Sequence, residues 1–163
     1  MYPSVNNTLN EIKEILTKRN IKLSCAESCT GGLISSYLTD VDGASKFIEI
    51  NFVTYAIEAK MRFLQVPVKI IEDFGVVSKE TAYFMAKGLL KYSGISISTT
   101  GYLGPEGGDE INPIGTVYFG FAYKDKIKVT KYISNKTSRK EIKVDMTEFI
   151  LKEFLTFLKE LFG

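Results

Sequence analysis

Leu23-Ser24-Cys25-Ala26-Glu27-Ser28-Cys29-Thr30-Gly31-Gly32-Leu33-Ile34 reads as a short buried strand that ends in an acidic residue. Three small polar residues follow, and then a Gly-Gly pair that opens an apolar helix. The first turn of a helix leaves backbone N–H groups without partners, and its dipole favours negative charge. Glycines there let a ligand approach the backbone. Ser28, Cys29 or Thr30 at such a turn is a candidate nucleophile beside an anion site. The plainer alternative is that Thr30 caps the helix and the glycines serve packing.

On the N-terminal side, Asn6 or Asn7 is the expected cap of a helix that carries Leu9, Ile12, Ile15 and Leu16 on one face and ends near Asn20. The strand before the motif is expected over 21–26 and the helix after it over 30–38. Asp40-Val41-Asp42-Gly43 is a turn, and 47–55, rich in β-branched and aromatic residues, is a second strand. Helices are expected over 57–65, stopped by Pro67, and over 68–74. Ser78 caps a longer helix with Ala82, Met85, Ala86 and Leu89 inward, closing at Gly94. A third strand covers 95–100. Residues 101–113 hold four glycines and two prolines, a loop long enough to suggest function. Strands over 115–123 and 127–134 form a hairpin around Lys124-Asp125-Lys126, and Ser138 with Glu141 makes a capping box for the last helix.

Helices alternate with strands early and an antiparallel hairpin comes late. That order predicts a single three-layer α/β/α domain over 1–163, with a mixed, mostly parallel sheet. Ligands of such sheets sit at the carboxyl ends of the strands, here 27–32, 55–60 and 100–108.

Composition narrows the chemistry. A 163-residue chain can bury a sizeable core, and 45% apolar with 25% charged residues is ordinary for a globular protein. A net charge of +2 gives no ground for nucleic acid or an anionic membrane as partner. No apolar run reaches the ~20 residues of a membrane span. The start, Met1-Tyr2-Pro3-Ser4-Val5-Asn6-Asn7, lacks the basic flank and apolar core of a signal peptide, so a cytoplasmic location is expected. There is no histidine, and Cys25 and Cys29 are the only cysteines. Imidazole relays, imidazole metal ligands and a four-thiolate zinc site are therefore absent, and no metal or cofactor is expected.

A hydroxyl nucleophile without histidine must lose its proton to Lys, Tyr, Asp or Glu. Lys60, following the second strand, is the best-placed base. A lysine with pKa ~10.4 works as a base near neutrality only if its surroundings disfavour the ammonium by roughly 4 kcal/mol. Tyr55 could relay the proton or orient the nucleophile. Cys29 is a weaker rival nucleophile, since a thiol at a helix N-terminus can be activated. A phosphate-loop reading of Gly31-Gly32 lacks the following lysine. Arg139 and Lys140, inside the last helix, could clamp an anion.

Ala26-Glu27-Ser28-Cys29-Thr30-Gly31-Gly32, Val53-Thr54-Tyr55 leading to Glu58-Ala59-Lys60, Gly75-Val76-Val77-Ser78, Thr100-Gly101-Tyr102-Leu103-Gly104-Pro105-Glu106-Gly107-Gly108 and Pro113-Ile114-Gly115-Thr116-Val117-Tyr118 together resemble the CinA C-terminal domain family, in order and over nearly the whole chain. That family includes nicotinamide-nucleotide amidases, which hydrolyse the carboxamide of nicotinamide mononucleotide without metal. The resemblance implies Ser28 as nucleophile with Lys60 and Tyr55 activating it. It also implies a substrate site that includes Thr30, Gly31, Gly32, Thr100, Gly101 and Arg139. A pyridine mononucleotide as substrate, a homo-oligomer, in particular a dimer, and a stand-alone form follow from it too. The chain departs from the family's usual pattern at Ala56-Ile57, Tyr102-Leu103 and Thr137-Ser138, positions that bear on substrate choice. A non-catalytic nucleotide-binding module on the same scaffold is the alternative, and a thiol sensor using Cys29 the weaker third.

Overall fold

In a computed structural model, which describes residues 4–163, the chain forms a five-stranded sheet in the order β2-β1-β3-β4-β5. The strands are β1 (Leu23–Glu27), β2 (Ile48–Val53), β3 (Ile95–Gly101), β4 (Thr116–Tyr123) and β5 (Lys126–Ile133). β1 pairs in parallel with β2 and β3, whereas β3–β4 and β4–β5 are antiparallel. Only β4 therefore runs against the other strands. The helices are α1 (Asn6–Arg19), α2 (Leu33–Thr39), α3 (Ile57–Leu64), α4 (Val68–Phe74), α5 (Lys79–Leu89) and α6 (Arg139–Phe162). α1, α2 and α6 cover one face of the sheet, while α5 covers the other with α3 and α4 packed against it. This is the expected three-layer α/β/α arrangement. The expectation drawn from Met1 to Pro3 lies outside the described residues.

Helix periodicity explains the first layer. Leu9, Ile12 and Leu16 of α1 and Ile142, Met146, Ile150, Phe154 and Phe157 of α6 meet β1, β3 and β4 in one apolar core. Strand periodicity explains the second. On β3, Ile95 and Ile97 join that core, while the alternate residues face the opposite layer. There Ser96 Oγ donates to Ala86 O (2.8 Å), Ser98 Oγ to Ala82 O (2.7 Å) and Thr100 Oγ1 to Val76 O (2.9 Å). Each of these three hydroxyls thus has an acceptor, as burial demands. All five residues of β1 are buried, as expected of a parallel strand covered on both faces.

Several boundaries moved for local reasons. Val5, not an asparagine, occupies the N-cap of α1 without a side-chain cap; it is fully buried, so packing fixes that end. α2 begins at Leu33 rather than at residue 30, because Gly31 and Gly32 take φ of 60° and 98°, outside the right-handed helix. Ser78 does cap α5, accepting from Thr81 N, and Ser138 caps α6 by accepting from Glu141 N, while Glu141 Oε1 accepts from the Ser138 hydroxyl instead of its backbone N–H.

α3 reaches the site through a close contact with α5. A Cβ on Gly88 would lie 2.0 Å from Leu64 O, so the two backbones touch where only glycine fits. Gly88→Ala is expected to destabilise the protein by about 1–3 kcal/mol, the usual cost of overpacking, read as a lower urea midpoint at unchanged slope. An unchanged midpoint would show that this contact is dispensable.

Candidate active site

The chain leaves β1 toward β2 on one side and later returns to β3 on the other. The carboxyl ends of β1 and β3 therefore flank a switch point, where open α/β sheets bind ligands. Ser28 follows β1 directly, and its N–H donates to Thr99 O and to Thr99 Oγ1, both at 3.2 Å. A turn over 28–31 is closed by Gly31 N donating to Ser28 O at 3.1 Å. Ser28 is thus held by the neighbouring strand and its own turn, with only 8% of its surface exposed.

Glu27 rearranges what the sequence suggested about the helix mouth. Its buried carboxylate accepts from Gly32 N (3.2 Å), Ile34 N (2.9 Å), Ser35 N (2.9 Å) and Ser35 Oγ (2.5 Å). The first amides of α2 are occupied by the protein's own anion. The expected free anion site at Thr30–Gly32 is therefore corrected: Gly31 N and Gly32 N have internal acceptors, and Leu33 N donates to Thr30 O. Among the described residues the N–H groups of Cys29 and Thr30 donate to no backbone carbonyl, and that of Cys29 lies against its own thiol.

Lys60 comes from α3 and is fully buried. Its Nζ lies 3.1 Å from Ser28 Oγ and donates to Thr54 O (2.7 Å) and Tyr55 O (3.1 Å). Among the described residues no ion pair includes it. Burial without a counter-charge disfavours the ammonium and lowers its pKa from 10.5 to about 8, with Cys29 acting weakly the other way. A neutral amine has two N–H groups and one lone pair. With both N–H groups on the two carbonyls, the lone pair is directed at the Ser28 hydroxyl.

Tyr55 is 57% exposed. It touches the amine through its carbonyl, while its phenol oxygen accepts from Arg139 Nη2 at 3.0 Å. The expected phenol-to-lysine relay is thus not what the structure contains. Arg139, the first residue of α6, also donates from Nη1 to Gly104 O, which ties the 102–115 loop to the mouth. Thr30 and Thr100 are fully buried and Gly101 is half-buried. Thr30 Oγ1 pairs with Thr99 Oγ1 at 2.9 Å, the Thr100 hydroxyl is on Val76 O, and a Cβ on Gly101 would strike Thr116 O at 2.4 Å. They brace the wall instead of facing a ligand. Gly31 is exposed, at the rim.

The thiols are not placed to react. Cys29 Sγ lies 3.7 Å from Met146 Sδ in the core, and burial pushes its pKa up to about 12. Burial raises Cys25 likewise. The Cys29 rival is thereby corrected, since a reactive thiol needs a stabilised thiolate. Sequence reasoning missed the Thr54 carbonyl, which carries no side-chain signal, and Thr99. Among the described residues no group of three or more His, Cys, Asp or Glu side chains could hold a metal, and no helix is long and apolar enough to cross a membrane.

Fold and site together define an α/β protein with a buried serine–lysine pair at the switch point of its sheet. The chain belongs to the CinA C-terminal domain family, whose model matches residues 5–158. A CinA-like protein of Chlorobium chlorochromatii is 40% identical over 164 residues, covering 98% of this chain and 39% of that protein. The competence/damage inducible protein CihA of Agrobacterium tumefaciens superposes with a TM-score of 0.89 at 31% identity, covering 96% of each chain. A CinA superfamily protein of Escherichia coli gives a TM-score of 0.88 at 31% identity, over 94% of this chain and 90% of that one. The chain spans between 28% and 40% of the length of the curated relatives it matches.

Proposed function

We propose that the chain is a serine amidase that hydrolyses the carboxamide of nicotinamide mononucleotide to nicotinate mononucleotide and ammonia. The observation that carries the reading is the 3.1 Å approach of Lys60 Nζ to Ser28 Oγ, with two carbonyls on the amine's other positions. Ser28 Oγ attacks the amide carbon while its proton passes to neutral Lys60. The tetrahedral oxyanion is held by the N–H groups of Cys29 and Thr30, each worth about 3–4 kcal/mol when well placed. The Lys60 ammonium returns the proton to the amide nitrogen, the C–N bond breaks and ammonia leaves. Water then attacks the ester with Lys60 again as base, and Ser28 recovers its proton as the acid departs. No step calls for a metal or cofactor. Assembly into homodimers belongs to the same reading, supported by the open edge of β2, which exposes Ile50 and Val53.

The test is an ammonia-release assay of the intact protein on nicotinamide mononucleotide, nicotinamide riboside and nicotinamide, run beside heat-shift binding. Turnover fastest on the mononucleotide is expected. A mononucleotide heat shift without ammonia would replace the amidase by a nucleotide-binding module.

A further inference from the structure

Strand β3 turns a row of side chains into the core beneath α1 and α6, and Ile95 and Ile97 are its first two members. Alternation along the strand gives the next place in that row to Thr99. Thr99 is fully buried, at a place where packing alone favours an apolar residue. A local departure from the apolar pattern is expected where function requires it.

The Thr99 hydroxyl is directed at one short stretch of chain. Its Oγ1 accepts from Ser28 N at 3.2 Å, beside Thr99 O at the same distance, and lies 2.9 Å from Thr30 Oγ1. The Cys29 thiol meets the same side chain. One residue of β3 thus touches all three small polar residues that follow β1. Thr30 is fully buried too, and its hydroxyl has no other partner among the described residues. Lys60 takes its contacts from Ser28, Thr54 and Tyr55, so none of them runs through Thr99.

We infer that Thr99 is a positioning residue for the nucleophile: its hydroxyl, paired with that of Thr30, pins the 28–30 turn to β3 and so sets the approach of Ser28 Oγ to Lys60. The inference rests on the reading of Ser28 as nucleophile, though not on the identity of the substrate. A hydroxyl has one proton and two lone pairs, so Thr99 Oγ1 accepts from Ser28 N and still shares a proton with Thr30. Valine has the same shape and offers neither contact. In Thr99→Val, Ser28 N keeps only Thr99 O, and the buried Thr30 hydroxyl loses its partner. A hydroxyl orphaned in that way is costly, and turning toward another acceptor shifts the turn that carries Ser28. Displacement of a reacting group by about 1 Å costs on the order of 10²-fold in rate.

The experiment compares Thr99→Val, Thr99→Ser, Thr30→Val and Thr99→Val/Thr30→Val with the unmodified protein, at a temperature where circular dichroism shows the proteins folded. Ammonia release from nicotinamide mononucleotide is one assay. The other is labelling by a fluorophosphonate, whose fluoride an activated serine displaces, read by intact mass with Ser28→Ala as the blank. Thr99→Val is expected to lose about ten- to hundredfold in kcat and in labelling rate, with KM and the midpoint of the pH profile unchanged. Thr99→Ser, which keeps the hydroxyl, recovers most of both rates. Thr30→Val breaks the pair from the other side and loses a similar factor, so it decides the question where Thr99→Val does not fold. The double variant loses no more than either single one, as for two halves of one contact. Wild-type rates in Thr99→Val, or a loss that Thr99→Ser does not recover, overturn the positioning role and leave the amidase reading standing. Thr99-dependent labelling of Ser28 without ammonia release supports the role and overturns the amidase. An unmodified protein that neither takes the label nor releases ammonia overturns both.

Discussion

Lys60→Met is expected to lower kcat for amide hydrolysis by about 10²- to 10⁴-fold, the range in which a positioned base contributes. Ser28→Ala is expected to cost a similar factor, and the double variant no more than either alone, because residues that act as one unit are not additive. The pH profile carries the sharper signature. Lys60 accepts a proton only as the free amine, so kcat/KM should rise about tenfold per pH unit below its pKa of about 8 and level off above it. A rate that is flat from pH 6 to 9, or a Lys60→Met protein with more than a tenth of wild-type activity, would remove the amine from the mechanism.

The same group leaves a mark on stability, whose sign is fixed by linkage. Its folded pKa of about 8 lies below the unfolded value of 10.5, so between those limits the unfolded chain binds more protons and stability rises with pH. The contribution is complete above 10.5 and lost as pH falls to 8. Relative to Lys60→Met, the wild-type protein should therefore gain about 3 kcal/mol between pH 8 and 10.5, read from paired urea titrations.

Much of this architecture was legible in the residues. The i, i+3, i+7 spacing of Leu9, Ile12 and Leu16, the Ser78 cap and the Ser138 cap all point to elements found where expected. They were readable because side-chain pattern and backbone geometry agree there. The site was less legible because much of its chemistry belongs to the backbone. Thr54 O and Tyr55 O, which orient the amine, have no compositional trace. The start of α2 was misjudged because the two glycines looked like a helix opening, whereas their positive φ values place them in the turn before it.

Glu27→Ala is expected to be the most destabilising single change near the site, at about 3–5 kcal/mol, because each buried donor left unpaired costs about 1–3 kcal/mol. The side chain is fully buried, and its charge is offset by the dipole of α2 and by three N–H groups and one hydroxyl. Alanine would leave all four donors without an acceptor in a region closed to bulk water. Glu27→Gln should cost less. One amide oxygen can still accept from Gly32 and Ile34 while the Ser35 hydroxyl turns to accept from the new NH₂, leaving Ser35 N–H as the orphan. The expected order in a urea titration is therefore wild type, Gln, Ala, with an unchanged slope. Activity should fall with stability held constant, since Gly32 anchors the turn that carries Ser28. A Glu27→Ala protein with the wild-type urea midpoint would mean that water or a rearranged loop satisfies the α2 amides. In that case the helix mouth could accept an external anion after all.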